Sequence, residues 1–314
     1  MGNRDLTAGT GIQPSAAAAS SSRATRIVKI DDRIVKGSGA LADIRILWLT
    51  PSMDSLFTGA ASERRRFLDR LALSLDPTYA RHAAVFDRAM RQRNRALETF
   101  SASALLDALD QQMASAALAM AVARNRAVRN LSLEIDAARQ RAPDSVFPWA
   151  GISLRGTLEE QCAAGDEEET LENYLKLLAQ GRERDRVAGR TLVGPHRSDL
   201  DVVHGPKSLP AKVCSTGEQK ALLVGLVIAQ ARLVKAKTGG LAPLVLLDEI
   251  AAHLDPERRL ALFSSLASLN AQVWMTGTDL DTFRPLQEWV PAQLFLVSNG
   301  TFTPQSDAES LGKH

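Results

Sequence analysis

Cysteine is scarce in this chain, long apolar runs are absent, and neither sign of charge dominates. Two cysteines, Cys162 and Cys214, stand in 314 residues. Their placement gives neither a metal-ligand spacing nor a disulfide framework. No run of about 18 apolar residues could cross a bilayer, so no membrane association is expected. The N-terminus has no basic segment leading into an apolar stretch, so no secretory signal is expected and a cytoplasmic location is. No internal repeat is visible. No heptad pattern is sustained, which excludes long coiled-coil strands.

What is present can bury a large core. Apolar residues make up 45% and charged residues 24%, a balance that fits neither a disordered nor a membrane protein and suits two domains or lobes. The net charge of +2 is uninformative, but its distribution is uneven. From Arg23 to Arg95 there are 15 Lys/Arg against 8 Asp/Glu, and arginine outnumbers lysine 29 to 9 in the whole chain. Arginine suits bidentate phosphate contacts. The same bias accompanies GC-rich coding, so it decides nothing alone.

Residues 1–25 have no apolar periodicity and read as a poorly ordered start, with Gly9-Thr10-Gly11 and a tract from Pro14 to Ser22. Arg26–Ile30 alternates like a strand, Asp31-Asp32 offers a turn, and Arg33–Lys36 returns as a hairpin. Ile44–Leu49 is another strand, stopped by Thr50-Pro51. Ser62 is positioned to cap a helix that carries Glu63 in its first turn and Phe67, Leu68, Leu71 and Leu75 on one face. Past Pro77 there is no Gly or Pro up to Ala142, which predicts two or three helices with a break at Thr99-Phe100-Ser101. Another helix is expected over Glu168–Arg184.

After Arg190 the pattern becomes α/β. A short strand Leu200–Val203 precedes a long apolar helix from Gly217 to Lys235. Leu244–Leu247 is a continuous apolar run of the kind buried in parallel sheets. A helix after Pro256 and strands Gln272–Met275 and Gln293–Val297 follow, before a polar tail from Ser306.

Two motifs about thirty residues apart carry chemistry. Leu244–Leu247 runs into Asp248-Glu249, delivering two carboxylates to the C-terminal edge of a strand, where ligands of open parallel sheets bind. Phosphoryl transfer needs one carboxylate to hold Mg²⁺, usually through water, and a second to orient or deprotonate the attacking water. Asp248 and Glu249 fit those roles in that order. The same pattern also describes a strand that ends in a solvated acidic turn. Ser215-Thr216-Gly217-Glu218-Gln219-Lys220 opens the apolar helix, presenting amides and a positive dipole end to an anion. It is equally an N-cap with Glu218 in the first turn. The order of signature, acidic strand and small-residue loop Ala251-Ala252-His253-Leu254-Asp255 is that of ABC-type ATPases.

With Leu49-Thr50-Pro51, Arg64–Asp69, Gln92-Arg93-Asn94, Gly194-Pro195-His196-Arg197-Ser198-Asp199-Leu200, Asp255–Arg259 and Met275–Thr278, these motifs give the chain a resemblance to the RecF family of the ABC ATPase superfamily. It extends over nearly everything from about residue 26 to 300. The resemblance implies an α/β, P-loop NTPase-like ABC lobe with an inserted helical second lobe. The expected divisions are a remnant of the N-terminal ATPase lobe over 26–62, a helical arm over 63–190, a C-terminal ATPase lobe over 191–305 and a tail over 306–314. It implies that Ser215, Thr216, Gly217, Glu218, Gln219 and Lys220 meet the γ-phosphate bound by the other subunit of an ATP-dependent homodimer. It makes Asp248 the Mg²⁺ side, Glu249 the catalytic base, and Ala251–Asp255 the coupling loop. Thr276 and Thr278 fall where many ABC ATPases place a histidine. Single-stranded or gapped DNA, duplex DNA, RecR and RecO are the implied partners, and recombinase loading in repair and fork maintenance the implied role.

One departure from the family pattern stands out. The 314 residues contain no Gly-x-x-x-x-Gly-Lys-Ser/Thr loop, although the family begins with a strand, that loop and a helix. The chain is therefore expected to be N-terminally truncated and to bind ATP weakly or not at all by itself. An alternative expectation is a non-hydrolysing interaction protein of the same family. A chromosome-organising ATPase is disfavoured by the short arm. His82, His204 and His253 read as structural or solvated, the acidic run Asp166–Glu169 as a solvated helix start, and Trp274 as a core residue. Arg64-Arg65-Arg66 suit either DNA phosphates or a bridge between lobes.

Overall fold

The computed structural model describes residues 8–13, 25–30, 33–35, 45–250, 254–288 and 290–305. The chain divides into two compact units, Met1–Arg45 and Ile46–His314. The first is an antiparallel sheet of β1 (Ala8–Gln13), β2 (Thr25–Ile30) and β3 (Arg33–Val35), in the order β1-β2-β3. The hairpin expected from the alternation of residues 26–36 is there, with Ile30 opposite Arg33. Its turn at Asp31-Asp32 and the Pro14–Ser22 tract lie outside the described residues. β1 is an addition to the sequence reading. It has no apolar alternation, and backbone pairing from Ala8↔Ile30 to Gln13↔Thr25 defines it instead.

The second unit starts with β4 (Ile46–Leu49), which a 3₁₀ turn at Pro51–Met53 ends. Three helices follow: α1 (Ala61–Leu75), α2 (Tyr79–Glu98) and α3 (Ser103–Arg141). α1 buries Phe67, Leu68 and Leu71 as its periodicity requires, but Ser62 does not cap it. The helix begins two residues earlier than that cap requires, behind Ala60, and Ser62 falls inside the first turn. The break between α2 and α3 falls at Thr99–Ser101, where Phe100 adopts φ 52°. α3 runs 39 residues, roughly 58 Å at 1.5 Å per residue. Its Ala114, Ala117 and Ala121 are fully buried, small enough to let neighbouring helices approach closely.

β5 (Ala150–Arg155), α4 (Thr157–Ala164), α5 (Glu167–Ala188), β6 (Asp199–His204) and β7 (Leu209–Pro210) come next. The strands form an antiparallel sheet in the order β5-β6-β7. Then come α6 (Thr216–Lys237), β8 (Leu244–Leu247), α7 (Pro256–Leu269) and β9 (Val273–Met275). A closing hairpin, β10 (Leu294–Ser298) and β11 (Thr301–Gln305), turns at Asn299-Gly300, both with positive φ. That Asn-Gly pair is the usual chemistry of a two-residue hairpin turn. Among the described residues no helix is long and apolar enough to cross a membrane.

β4, β8 and β9 form a parallel sheet with β8 in the centre. Leu47, Leu49, Val245 and Leu247 are buried on one face, in one core with α6 and with Leu262, Phe263 and Leu266 of α7. α6 has buried residues around most of its circumference, which is why it shows no amphipathic stripe. The other sheet face carries Ile46, Trp48, Leu246 and Trp274, all exposed; Trp274, expected in the core, falls on this face because successive strand residues alternate sides. Trp48, Leu246 and Trp274 are register partners and form a row across the three strands.

Two buried arginines tie the helices to the second half of the chain. Arg93, 0% exposed, bonds Asp110 Oδ1 at 2.5 Å, Asp185 Oδ2 at 2.6 Å, the Thr191 hydroxyl at 2.9 Å and the Leu178 carbonyl at 2.9 Å. Arg124 donates to Asp69, Tyr79, Glu159 and the Pro195 carbonyl. Burial, and then the Asp69 carboxylate, raise the pKa of the Tyr79 phenol against the opposing charge of Arg124. Every buried charge in these clusters has an opposite charge or hydrogen bond, the condition for tolerating it away from water.

Candidate functional site

The acidic pair sits where the parallel ladder ends. The Asp248 amide donates to the Leu49 carbonyl and the Thr276 amide to the Leu247 carbonyl, both at 2.9 Å, so pairing continues one residue past the strands. Asp248 and Glu249 are exposed at this C-terminal edge, and Ile250 behind them is fully buried. Glu249 adopts φ 53°, a left-handed conformation that costs a non-glycine residue about 1 kcal/mol or more. The Thr276 hydroxyl holds the arrangement. It donates to Asp248 Oδ1 at 2.5 Å and accepts the Glu249 amide at 3.1 Å. A single hydroxyl can do both at once.

This donor set suits a particular kind of metal. Among the described residues no group of three or more His, Cys, Asp or Glu side chains could cage an ion. An exposed carboxylate beside a hydroxyl instead fits Mg²⁺, which keeps several waters and takes one or two carboxylates plus substrate phosphates. Asp248 would be its protein ligand, directly or through water.

The second cluster is the start of α6. Ser215 is the N-cap, its hydroxyl accepting the Glu218 amide at 3.4 Å, while Glu218 Oε2 accepts the Ser215 amide at 3.0 Å. This capping box leaves the first-turn amides of Thr216 and Gly217 without an acceptor among the described residues. Lys207 pairs with the other Glu218 oxygen. That bond, then the Ser215 amide, holds the Glu218 carboxyl well below the usual range, at about 2. Ser215 and Thr216 are exposed, whereas Gln219 and Lys220 are buried as anchors. Gln219 donates to the Cys214 carbonyl at 2.8 Å, and Lys220 pairs with Asp54 at 3.2 Å.

Asp255 caps α7, accepting the Arg258 amide at 2.9 Å and pairing with its guanidinium at 3.5 Å. A Cβ at Gly217 would stand 3.8 Å from Arg258 Nη1, so this arginine lies near the start of α6 within one chain. Ala251, Ala252 and His253 lie outside the described residues. Thr278 is exposed beyond β9. The structure thus brings Asp248, Glu249 and Thr276 together, and separately places the Ser215–Glu218 turn near Arg258, the partner of Asp255. Among the described residues no hydrogen bond or ion pair joins Ser215–Lys220 to Asp248 or Glu249. Lys207 and Asp54 carry no signal in the sequence, whereas Arg258 lies within the Asp255–Arg259 motif with no role of its own assigned there.

The Gly194–Leu200 segment positions the arm. Gly194 has φ 137°, and a Cβ there would overlap the Tyr174 hydroxyl. Tyr174 bonds the Val193 carbonyl at 2.9 Å, and Ser198 bonds Glu159 at 2.7 Å. Arg64 forks onto Asp199 at 2.7 and 2.9 Å, and Arg65 donates to the Ser198 carbonyl at 3.0 Å. Burial opposes the Asp199 charge, but the Arg64 bond and charge outweigh it and lower its pKa. Two arginines of the triplet therefore bridge α1 to β6, and Arg66 faces solvent beside Glu63.

No family model matches the chain. It is 51% identical over 267 residues to the DNA replication and repair protein RecF of Mesorhizobium japonicum, covering 84% of this chain and 69% of that protein. It is 51% identical over 278 residues to the RecF of Rhizobium meliloti, covering 88% and 72%. Against the RecF of Rhizobium johnstonii it is 48% identical over 299 residues, covering 94% and 76%. Among solved structures, the recombination mediator protein RecF-ATPrS of the RecFOR pathway superposes with a TM-score of 0.74 at 18% identity, over 90% of this chain and 74% of that one. At that identity the likeness concerns the fold.

Proposed function

This chain belongs to the RecF family of DNA replication and repair proteins, and from that premise we propose that its two clusters are complementary halves of an ATP site shared between two RecF-family chains of a dimer. In this reading the α6 mouth, Ser215, Thr216 and Gly217, meets the γ-phosphate held by the opposing chain. Glu218 fixes the cap, while Gln219 and Lys220 seat the helix. Asp248 holds Mg²⁺ through water, Glu249 orients or deprotonates the attacking water, and Thr276 aligns both, with Thr278 beside the phosphate. Asp255 couples the sites through Arg258. Mg²⁺ supplies charge neutralisation at the developing phosphate anion.

The observation that carries the reading is the Thr276 hydroxyl joined to both Asp248 and the Glu249 amide at the C-terminal edge of a central parallel strand. Ligands of such sheets bind at that edge. The shared-site arrangement is supported by the separation of the signature bonds from the acidic-edge bonds. Residues 63–190 act as the second lobe. The assembly binds gapped or single-stranded DNA and duplex DNA, and works with RecO and RecR to load recombinase. A solved neighbour of the same fold is RecF-ATP of the RecFOR pathway, which supports ATP as the nucleotide.

The 314 residues hold no phosphate loop, so the opposing chain in the test is a relative that has one. The test is gapped-DNA retention by this chain mixed with a longer relative, in Mg²⁺ and ATP. Retention that rises above that of the relative alone with the wild-type chain, and does not with Ser215→Arg, supports the reading. Equal retention with both chains contradicts it.

A further inference from the structure

A groove lies where the last turns of α3, the 142–149 loop, α6 and α7 meet. Its volume is about 1030 Å³, and an adjoining recess of about 570 Å³ shares Ala138, Ala142 and Arg232 with it. None of the lining residues belongs to the signature or the acidic strand. The floor is apolar, with Ile135, Phe147, Trp149, Leu226 and Ile228. Trp149 is fixed on both sides. Gly205 backs its ring, where a Cβ would overlap the indole, and the Arg139 guanidinium lies over it at 4.5 Å.

The rim carries four cations, Arg139, Arg141, Arg232 and Lys235, against two carboxylates, Glu134 and Asp136. Three cations are engaged: Arg139 on Trp149, Arg141 on Glu134 at 2.5 Å, and Lys235 on the Leu269 carbonyl at 2.6 Å. Arg232 is half-buried, and its guanidinium makes no hydrogen bond or ion pair among the described residues. Burial first, and then the Arg141 charge, lower its pKa against the attraction of Glu134, whose carboxylate is bonded to Arg141. A partly desolvated guanidinium without a partner is unfavourable, and a carboxylate on its fork offsets that cost.

We propose that this groove binds an acidic peptide segment of a partner protein, with a carboxylate on Arg232 and an aromatic or branched aliphatic side chain on the Phe147–Trp149 floor. Charge complementarity selects the acidic segment, and the apolar floor selects its anchor. A nucleic-acid backbone fits less well. It has no apolar anchor for the floor, and Glu134 and Asp136 oppose a row of phosphates.

The test is fluorescence anisotropy of the 314-residue chain with a short labelled peptide rich in Asp with one central Phe. Arg232→Glu should weaken binding about tenfold or more, Arg232→Lys should retain part of it, and Phe→Ser in the peptide should weaken it comparably. Thermal melting of Arg232→Gln should show a Tm unchanged or raised, because the guanidinium holds nothing in place. No binding of the peptide, equal binding by Arg232→Glu, or displacement of the peptide by a duplex oligonucleotide with the same Arg232 dependence would overturn the proposal.

Discussion

Thr276 holds two chemically different neighbours with one oxygen, donating to the Asp248 carboxylate and accepting the Glu249 amide. Thr276→Val keeps the β-branched shape and removes both bonds. It should lower stability by about 0.5–1.5 kcal/mol, read as a shifted urea midpoint at unchanged slope. An unmoved midpoint would show that the clamp contributes nothing. Arg93→Met should cost more, about 3–5 kcal/mol, because Asp110 and Asp185 would stay buried beside an apolar side chain. Urea denaturation reads that too, and a cost under about 1 kcal/mol would contradict the clamp. Glu218 gives a pH test with a definite sign. Its folded pKa is depressed to about 2, so its contribution to the α6 start is complete above the ordinary carboxylate range and lost as pH falls toward 2. A carboxyl NMR titration should give a midpoint near 2 in the wild type. With Lys207→Met the midpoint should move up, since that bond is the larger cause. A wild-type midpoint near 4 would contradict the box.

At the scale of elements, the sheet of β4, β8 and β9 combines a buried face with an apolar exposed one. Parallel sheets usually have both faces covered. Replacing Trp48 and Trp274 by Thr should reduce binding of a hydrophobic dye, with only a small fall in Tm, because both side chains are part-exposed and Trp48 loses chiefly its contact with the Arg70 guanidinium at 5.1 Å. A large fall in Tm would mean that the row Trp48, Leu246, Trp274 is packed. Elements with strong periodicity or continuous apolar runs were legible beforehand: α1, α6, β8, and the break at residues 99–101. β5 was not, because Ala150–Arg155 mixes Gly, Ser and Arg and is set by pairing with β6. The α1 cap was misplaced because a serine near a helix start need not be the residue outside it. The acidic pair could be named from sequence. The left-handed Glu249 and the Lys207 and Asp54 anchors could not, since those contacts join residues far apart in the chain or depend on backbone conformation.

At the scale of the whole molecule, buried ion clusters tie the helices to the second half of the chain. Arg93 joins α2 to α3 and α5, Arg124 joins α3 to α4 and the Gly194 segment, and Arg64 joins α1 to β6. Each bond links segments distant in sequence, which is why Gln92–Asn94 and Gly194–Leu200 read as motifs without offering catalytic chemistry. The arginine bias of the first hundred residues is therefore partly structural. The central claim is that the α6 mouth acts on a nucleotide held by an opposing chain. The most direct measurement mixes this chain with a longer RecF relative whose own signature serine has been replaced, and follows ATP turnover. Turnover should return with the wild-type chain and fail to return with Ser215→Arg. Equal turnover with both chains, or none with either, would contradict the claim.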